Sequence, residues 1–142
     1  MTQEEKDLLL KDLCARLFYG VKVNVIYSNE NASSFRQRVC VKGDNELNTD
    51  IIWLYQRNEI DIKPYLFPLS SMTEEQQEEF DRIYADDMQV VANNLKNRLD
   101  GKPYETTLGH YRHIDWLNAN HFDYRGLIEK GLAIDATGLN IY

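Results

Sequence analysis

The sequence has 142 residues, of which 43% are hydrophobic and 27% are charged. This length is enough for one globular domain and too short for two large ones. No stretch approaches the roughly 18 apolar residues of a membrane span, and the first residues are acidic where a secretory signal is basic. We therefore expect a cytoplasmic protein. Its 23 acidic and 16 basic residues give a net charge of −7, which disfavours non-specific binding to nucleic acid.

The N-terminal segment has the pattern of an amphipathic helix, predicted over 2–19. Thr2 and Glu5 have the spacing of a capping box. Apolar side chains then recur at intervals of three and four residues, at Leu9, Leu10, Leu13, Cys14 and Leu17. We expect this apolar face to pack on the rest of the protein and the opposite face, to which we assign Asp12 and Arg16, to lie in water. Both cysteines, Cys14 and Cys40, are expected to be free and buried.

Residues 21–69 are predicted to form a small β unit ending in an apolar connector. The alternation of apolar and polar residues changes to a period of two, which is typical of strands. We expect Gly43 to begin a turn. The sheet should end before the connector 63–69, because Pro64 and Pro68 cannot donate to a strand ladder. The predicted strands cover 21–27, 35–42, 51–55 and the region of Ile60 and Ile62.

A second capping box, Thr73 with Gln76, predicts a long acidic amphipathic helix over 73–100. The remainder, 101–142, reads as short helices and an extended tail. The predicted fold is therefore a single α+β domain, 1–142. In it the N-terminal helix packs on a four- to five-stranded antiparallel sheet or an open SH3-like barrel, and the long helix and short-helix C-terminal segment follow.

Three strings in the sequence resemble a group of short uncharacterised proteins from Bacteroidetes genomes and their phages or prophages. The strings are LCARLFYGVK at 13–22, IKPYLFPLSSMT at 62–73, and HIDWLNANHFDYRGLI followed by KGLA within 113–133. The chain departs from the group at Phe18, where proline is common, and at Asn120, where a second histidine is common. The resemblance implies membership of this group, and it implies no activity.

A cluster of His110, His113 and His121, with Asp115 and Asp123 among them, is the first candidate site. Imidazole nitrogen and carboxylate oxygen together suit zinc or a similar ion, so a metal-dependent hydrolase is one hypothesis. The alternative is that the histidines satisfy polar groups where the C-terminal segment packs, and that Asp123 caps a short helix. No other cofactor is predicted.

A basic strand is the second candidate site. Arg36, Arg38 and Lys42 lie on one side of the predicted strand 35–42, and Trp53 could supply an aromatic platform for a base. This pattern indicates a small-ligand or nucleic-acid binding module. The alternative is that the basic residues are the solvated face of an ordinary strand, while Trp53 belongs to the core.

Two further groups of residues are candidates for binding a protein partner. The aromatic residues Trp116, Phe122 and Tyr124 form either a satellite core or an exposed docking patch. From residue 73 to residue 87 there are seven acids and one base, a local charge of −6. This acidic segment would bind a basic partner or would simply be solvated. The acids chosen as contacts are Glu75, Glu78 and Glu79.

No motif of a known catalytic class is present. The seven glycines are scattered singly, which excludes the phosphate-binding and dinucleotide-binding loops, and no serine has a glycine elbow. We therefore expect a non-enzymatic phage or mobile-element accessory protein that acts through a protein partner or by self-association. The ligand-binding and metal-dependent hydrolase hypotheses remain the alternatives.

Overall fold

The computed structural model describes residues 1–28, 40–103 and 111–142 and has an α+β fold. The strands form one mixed, open sheet, and the helices lie before, between and after them. The elements in chain order are helix α1 (Gln3–Arg16), strands β1 (Lys22–Tyr27) and β2 (Gly43–Glu46), helix α2 (Thr49–Gln56), strand β3 (Ile60–Pro68), helices α3 (Glu74–Leu99) and α4 (Arg112–Ala119), and strands β4 (Phe122–Asp123) and β5 (Ile134–Asp135).

Helix α1 begins with the predicted capping box, in which the Thr2 hydroxyl accepts from the Glu5 backbone N–H and the Glu5 carboxylate accepts from the Thr2 backbone N–H. The helix ends at Arg16, three residues earlier than predicted. The assignment of Asp12 and Arg16 to the solvent face is wrong, because both side chains are fully buried. Cys14 is exposed, contrary to the prediction, and Cys40 is buried; both are free.

The sheet has β3 at its centre. Strand β1 pairs with β2 on one side and β3 on the other, and both pairings are antiparallel, as predicted. The two short strands β4 and β5 pair with β3 in the parallel direction, which the sequence did not indicate. Counted over the described residues, the resulting sheet has five strands, and it is open. The C-terminal segment therefore completes the sheet that the N-terminal half begins.

The prediction of a strand at 51–55 is wrong, because these residues lie in helix α2. The Asn48 side chain accepts a hydrogen bond from the Ile51 backbone N–H at 2.9 Å and so caps this helix. A short apolar run is compatible with a buried strand or a buried helix, and its periodicity alone does not distinguish them. The Asn48 cap was the signal that the prediction missed.

Two predictions about the edges of strands are also wrong. Strand β3 runs through the expected connector as far as Pro68. Pro64 stands at the end of the ladder between β1 and β3, opposite Val23, and a proline is tolerated at such an end. Gly43, predicted to begin a turn, instead begins β2. Of the predicted strand 35–42, residues 35–39 lie outside the described residues and 40–42 are not in a strand.

Helices α1 and α2 supply one side of a continuous apolar core with the sheet. Leu9 and Leu13 of α1 pack with Ile51 and Leu54 of α2, and all four side chains are fully buried. Val23, Val25, Ile62 and Leu66 of the sheet and Leu127 and Leu132 of the C-terminal segment complete it. Burying one such side chain contributes about 1.5–3 kcal/mol, so this core is the main stabilising feature.

Helix α3 begins at the predicted capping box of Thr73 and Gln76 and ends at Leu99, in agreement with the prediction. Its contacts with the rest of the protein are limited: Asp87 and Asn94 are its only buried residues. Helix α4 packs beside it. None of the helices in the described ranges combines the length and apolar composition that crossing a membrane requires.

Candidate functional site

The predicted histidine and aspartate cluster is dispersed. His110 lies outside the described residues. The His113 ring Nδ1 is 2.6 Å from Asp87 Oδ2, and the His113 backbone N–H donates to the same oxygen at 2.8 Å. His121 stacks on Tyr142, with ring centroids 3.7 Å apart. Within 1–28, 40–103 and 111–142, no three histidine, cysteine, aspartate or glutamate side chains are grouped so that they could hold a metal ion.

The aspartates next to these histidines serve the backbone and other side chains. Asp123 accepts hydrogen bonds from the backbone N–H groups of Leu127 and Ile128 at 3.0 and 2.9 Å, so it caps a turn rather than the predicted helix. Asp115 accepts from the Tyr19 hydroxyl at 3.1 Å. In Asp87, burial would raise the pKa, but the hydrogen bonds from His113 outweigh it and lower the pKa of that carboxyl below its usual value.

The predicted anion site is not assembled on one strand. Arg36 and Arg38 lie outside the described residues. Lys42 lies over the Tyr27 ring, with Nζ 5.3 Å from the ring centroid. The placement of Trp53 on a strand is wrong: it lies on helix α2, where the Arg57 guanidinium lies over its ring at 4.5 Å. Lys42 and Trp53 therefore belong to different elements.

The aromatic cluster of the C-terminal segment is a satellite core. Phe122 is buried, and the Trp116 ring stacks on it at a centroid distance of 5.7 Å and an angle of 13°. Phe80 of α3 packs on Trp116, and the centroids of these two rings are 5.7 Å apart. The Tyr124 hydroxyl donates to Asn118 Oδ1 at 2.8 Å. Of the two alternatives left open, the docking patch is wrong for Phe122, because its side chain is inaccessible.

A buried ionic cluster that the sequence did not indicate joins α1 to the C-terminal segment. Arg16 Nε donates to Asp12 Oδ2 at 2.8 Å, and Arg125 Nε donates to the other Asp12 oxygen at 3.1 Å. Arg16 Nη2 donates to the Phe122 carbonyl at 2.6 Å, while its Nη1 is buried and has no hydrogen-bond partner within 1–28, 40–103 and 111–142. Both guanidinium groups also lie over the Tyr124 ring, at 5.2 and 4.8 Å. Burial raises the pKa of Asp12, an effect that the two arginines only partly offset.

An open cleft of about 350 Å³ lies beside this ionic cluster. Its walls are aromatic at Phe67, Phe122 and Tyr142 and polar at Gln76, Asn120 and His121. Of these six residues, His121 and Phe122 were among the sequence candidates, His121 as a metal ligand and Phe122 as a contact for a protein partner. A concave site with aromatic walls and a few polar groups is the usual form of a small-ligand site. The cleft is therefore the strongest candidate for ligand binding.

Three features fix His121 and its protonation at the cleft. Its backbone is in the left-handed region, with φ of 62°, at the position after the C-cap of α4, where this conformation commonly ends a helix. Its Nδ1 is buried and has no hydrogen-bond partner among the described residues. Burial, assisted by the nearby charge of Arg16, lowers the pKa of His121 to about 4, so the ring is neutral at pH 7.

One flank of helix α3 forms a continuous exposed stripe, which we call the α3 flank. Its members follow one another at intervals of three or four residues and therefore lie on one side of the helix. The first part of the stripe is acidic and the second part is apolar. Its members are Glu74, Glu78, Asp81, Tyr84, Met88, Ala92, Leu95 and Leu99, of which only Met88 is half-buried.

Of the three acids predicted to contact a partner, only Glu78 lies on the α3 flank. Glu75 and Glu79 are equally exposed but stand on the far side of the helix, since nine and five residues separate them from Tyr84.

Comparisons of the chain with protein-family models, with curated proteins and with solved structures found no match. Its function is therefore inferred from the geometry of its own residues.

Proposed function

We propose that the protein is a non-enzymatic binding protein that docks a protein partner on the α3 flank. The observation that carries this proposal is the exposure of large apolar side chains there: 45% for Tyr84, 58% for Leu95 and 87% for Leu99. Single exposed apolar residues are ordinary on protein surfaces, but a contiguous row of them is typical of an interaction surface.

The spacing of these residues defines the shape of the partner. Helix α3 contains no proline or glycine that could kink it. Its large apolar residues on one side are Tyr84, Met88, Leu95 and Leu99. A ridge of this kind fits the groove of another helix, with anchors three, four or seven residues apart. The partner segment is therefore an amphipathic helix.

The charge of α3 defines the chemistry of the partner. Residues 73–87 carry −6, whereas residues 88–102 carry three bases, Lys96, Arg98 and Lys102, and one acid, Asp100. The acids Glu74, Glu78 and Asp81 continue the apolar row toward the N-terminus. A partner helix with basic residues at one end and apolar residues along its contact face matches both parts of the α3 flank.

Self-association through a parallel pair of α3 helices is disfavoured by the same charges. Two copies of a chain with a net charge of −7 repel each other, and a parallel pair of α3 helices would bring two segments of −6 together. The resemblance to short Bacteroidetes and phage proteins supports placing this binding activity in an accessory protein of a phage or mobile element, acting in the cytoplasm of its host.

The test uses a fluorescent helical peptide with a leucine stripe flanked by lysines, and a second peptide with glutamate at every lysine position. The variant Leu95→Gln/Leu99→Gln removes the apolar end of the α3 flank. The matched control is Phe18→Gln, which removes a side chain that is 92% exposed elsewhere on the surface. Because the substituted residues are exposed, all variants should keep the stability of the unaltered protein.

We expect the lysine peptide to bind the unaltered protein and Phe18→Gln equally. Binding to Leu95→Gln/Leu99→Gln should be about tenfold weaker, the effect of losing two partly buried leucines from an interface. Rising salt should weaken binding by screening the acidic part of the α3 flank. Equal binding of the two peptides, or no loss in the leucine variant, would overturn the proposal. Dimer formation by the protein alone would assign the α3 flank to self-association instead.

A further inference from the structure

We propose that the cleft at His121 binds a planar ring that carries an amide edge, meaning a carbonyl oxygen next to an N–H group. This site is separate from the α3 flank, and the proposal does not depend on protein docking. With a volume of about 350 Å³, the cleft is at the small end of ligand sites. A ligand of one ring and one substituent fits this volume.

The backbone holds His121 at the cleft in a conformation that costs free energy. A left-handed φ costs a residue other than glycine or asparagine about 1–2 kcal/mol. Two hydrogen bonds fix it: His121 N–H donates to the Asn118 carbonyl at 3.1 Å, and the His121 carbonyl accepts from Phe67 N–H at 2.8 Å. The ring then lies parallel to Tyr142 at 11°. The imidazole is thereby fixed in place before any ligand arrives.

The surroundings of the ring determine which nitrogen carries the proton. Nδ1 is the buried nitrogen, and the fully buried Arg16 donates to the carbonyl of Phe122, the residue that follows His121. The positive guanidinium favours a lone pair on Nδ1 over a proton there. A neutral imidazole has one N–H, so the hydrogen is on Nε2. His121 therefore presents a hydrogen-bond donor to the cleft.

Two side-chain amides complete the polar part of the site. The Gln76 Oε1 accepts from the Thr73 backbone N–H at 3.0 Å, which leaves its NH₂ group as a donor. The Asn120 NH₂ group donates to the Trp116 carbonyl at 2.9 Å, which leaves its Oδ1 as an acceptor. Both residues line the cleft. Two donors and one acceptor match an amide edge, in which the carbonyl accepts and the N–H donates.

The aromatic residues of the cleft select a flat ligand. Phe67 packs on Phe122 at 6.3 Å and on Tyr142 at 5.9 Å, with tilted rings. Ring faces and edges arranged in this way favour an aromatic ligand over a saturated one of the same size. Two classes of ligand combine a flat ring with an amide edge: an aromatic carboxamide, and a nucleobase with a lactam edge. Benzamide represents the first source and 2-pyridone the second.

The test is a titration of the full chain with benzamide and 2-pyridone, followed by the NMR signals of the probe and of the protein. Cyclohexanecarboxamide tests the need for a flat ring, and benzoate tests the need for an N–H donor. Gln76→Glu keeps the capping box, because glutamate serves at this helix position as well as glutamine, but it replaces the donor with a carboxylate. Gln89→Glu is the charge-matched control on an exposed part of the same helix.

We expect at least one amide probe to bind with a Kd on the order of 1 mM, as fragments of this size do. Binding should weaken at least tenfold in Gln76→Glu and in His121→Phe, which keeps a ring but has no donor. It should be unchanged in Gln89→Glu. Tighter binding of benzamide would assign the carboxamide, and tighter binding of 2-pyridone would assign the nucleobase edge.

Three outcomes would overturn the proposal. The first is that neither amide probe binds at a concentration 20-fold above the expected Kd. The second is that the probes bind the unaltered protein and Gln76→Glu equally. The third is that cyclohexanecarboxamide binds as tightly as benzamide. Changes in protein chemical shifts on addition of the probe that are confined to residues far from His121 would also count against the proposal. If His121→Phe does not fold, Gln76→Glu decides alone, because Gln76 is half-buried and its capping hydrogen bonds are retained.

Discussion

Among single residues, His121 combines demands that oppose each other. Its backbone conformation costs free energy, and its ring is held neutral near a buried arginine. Its Nδ1 lies buried without a hydrogen-bond partner in the part of the chain that the structure describes. Features that lower stability are commonly found at functional sites, where the rest of the structure maintains them. Asn118, which fixes its backbone, and Tyr142, which stacks on its ring, supply that support.

The low pKa of His121 predicts a loss of stability in weak acid. The folded-state pKa is about 4, below the ordinary value of 6.5. Between these two values the unfolded chain binds more protons, so the free energy of unfolding falls as pH is lowered through this range. We expect His121 to lower the free energy of unfolding by about 2 kcal/mol over this pH range. This value is smaller than the full pKa shift would give, because the cleft is open to water.

Urea unfolding at pH 7 and pH 4.5 measures this effect. His121→Phe is the control, because phenylalanine keeps an aromatic ring but does not titrate, and all other groups change equally in both proteins. The unaltered protein should lose more stability between the two pH values than His121→Phe does. An equal loss in the two proteins would mean that His121 titrates normally.

The sequence could have indicated the burial of Asp12 and Arg16. They follow Leu9 at intervals of three and seven residues, so the helix places them on the apolar face. The prediction assigned them to water because they are charged, although the spacing favoured burial. The hydrogen-bond partners that make burial possible, Arg125 and the Phe122 carbonyl, come from a distant part of the chain. No local pattern identifies such partners.

At the scale of elements, the most informative error concerns α2. In a strand at 51–55, Ile51, Trp53 and Tyr55 would share one face, whereas the helix buries Ile51, Leu54 and Tyr55 and leaves Trp53 44% exposed. Helices α1 and α3 were predicted correctly because each begins with a capping box and has a long period of 3.6 residues. Helix α2 has eight residues, too few for the period to be evident.

Leucine and tryptophan substitutions distinguish the helix from the strand. Leu54→Ala should lower the free energy of unfolding by about 2–5 kcal/mol, because Leu54 is fully buried and its loss leaves a cavity. Trp53→Ala should cost about 1 kcal/mol, most of it from the contact with the Arg57 guanidinium. The larger side chain thus has the smaller effect. The reverse order, measured by urea unfolding, would favour the strand.

At the scale of the whole molecule, the C-terminal segment is joined to the N-terminal half at two places: the ionic cluster on α1 and the central strand β3. Arg16 and Asp12 of α1 contact Phe122 and Arg125, while β4 and β5 pair with β3 at the centre of the sheet. The α+β class could be predicted from the sequence, since it depends on helix and strand periods. The parallel pairing of two-residue strands could not, because such strands are too short to have a pattern.

The ionic cluster predicts strong coupling between two residues. Arg16→Met should lower the free energy of unfolding by about 3–5 kcal/mol, because it leaves the buried Asp12 carboxylate without one of its partners. The double variant Asp12→Leu/Arg16→Met removes both charges, and Arg125, with a side chain that is 18% exposed, can reach water. The double variant should therefore be more stable than the sum of the single effects by about 1 kcal/mol or more.

The matched control is the partly exposed pair of Arg57 and Glu59, whose side chains are 55% and 24% exposed and whose charged atoms are 3.3 Å apart. Arg57→Met and Glu59→Leu should show a coupling of less than about 1 kcal/mol, as exposed ion pairs do. Additive effects of Asp12→Leu and Arg16→Met in urea unfolding would contradict the prediction. Loss of folding in Arg16→Met alone, with recovery in the double variant, would support it.

The hydrogen bond from Arg16 to the Phe122 carbonyl sets an order of events during synthesis. These residues are separated by 106 positions. A ribosome that adds about 5–20 residues each second leaves the guanidinium without this acceptor for roughly 5–20 seconds. During that time α1 can form and β1 can pair with β3, but the arginine cannot take its buried place without cost. The hydrogen bond that holds Arg16 in its buried place therefore forms only after the C-terminal segment has left the ribosome, and until then the guanidinium remains in water.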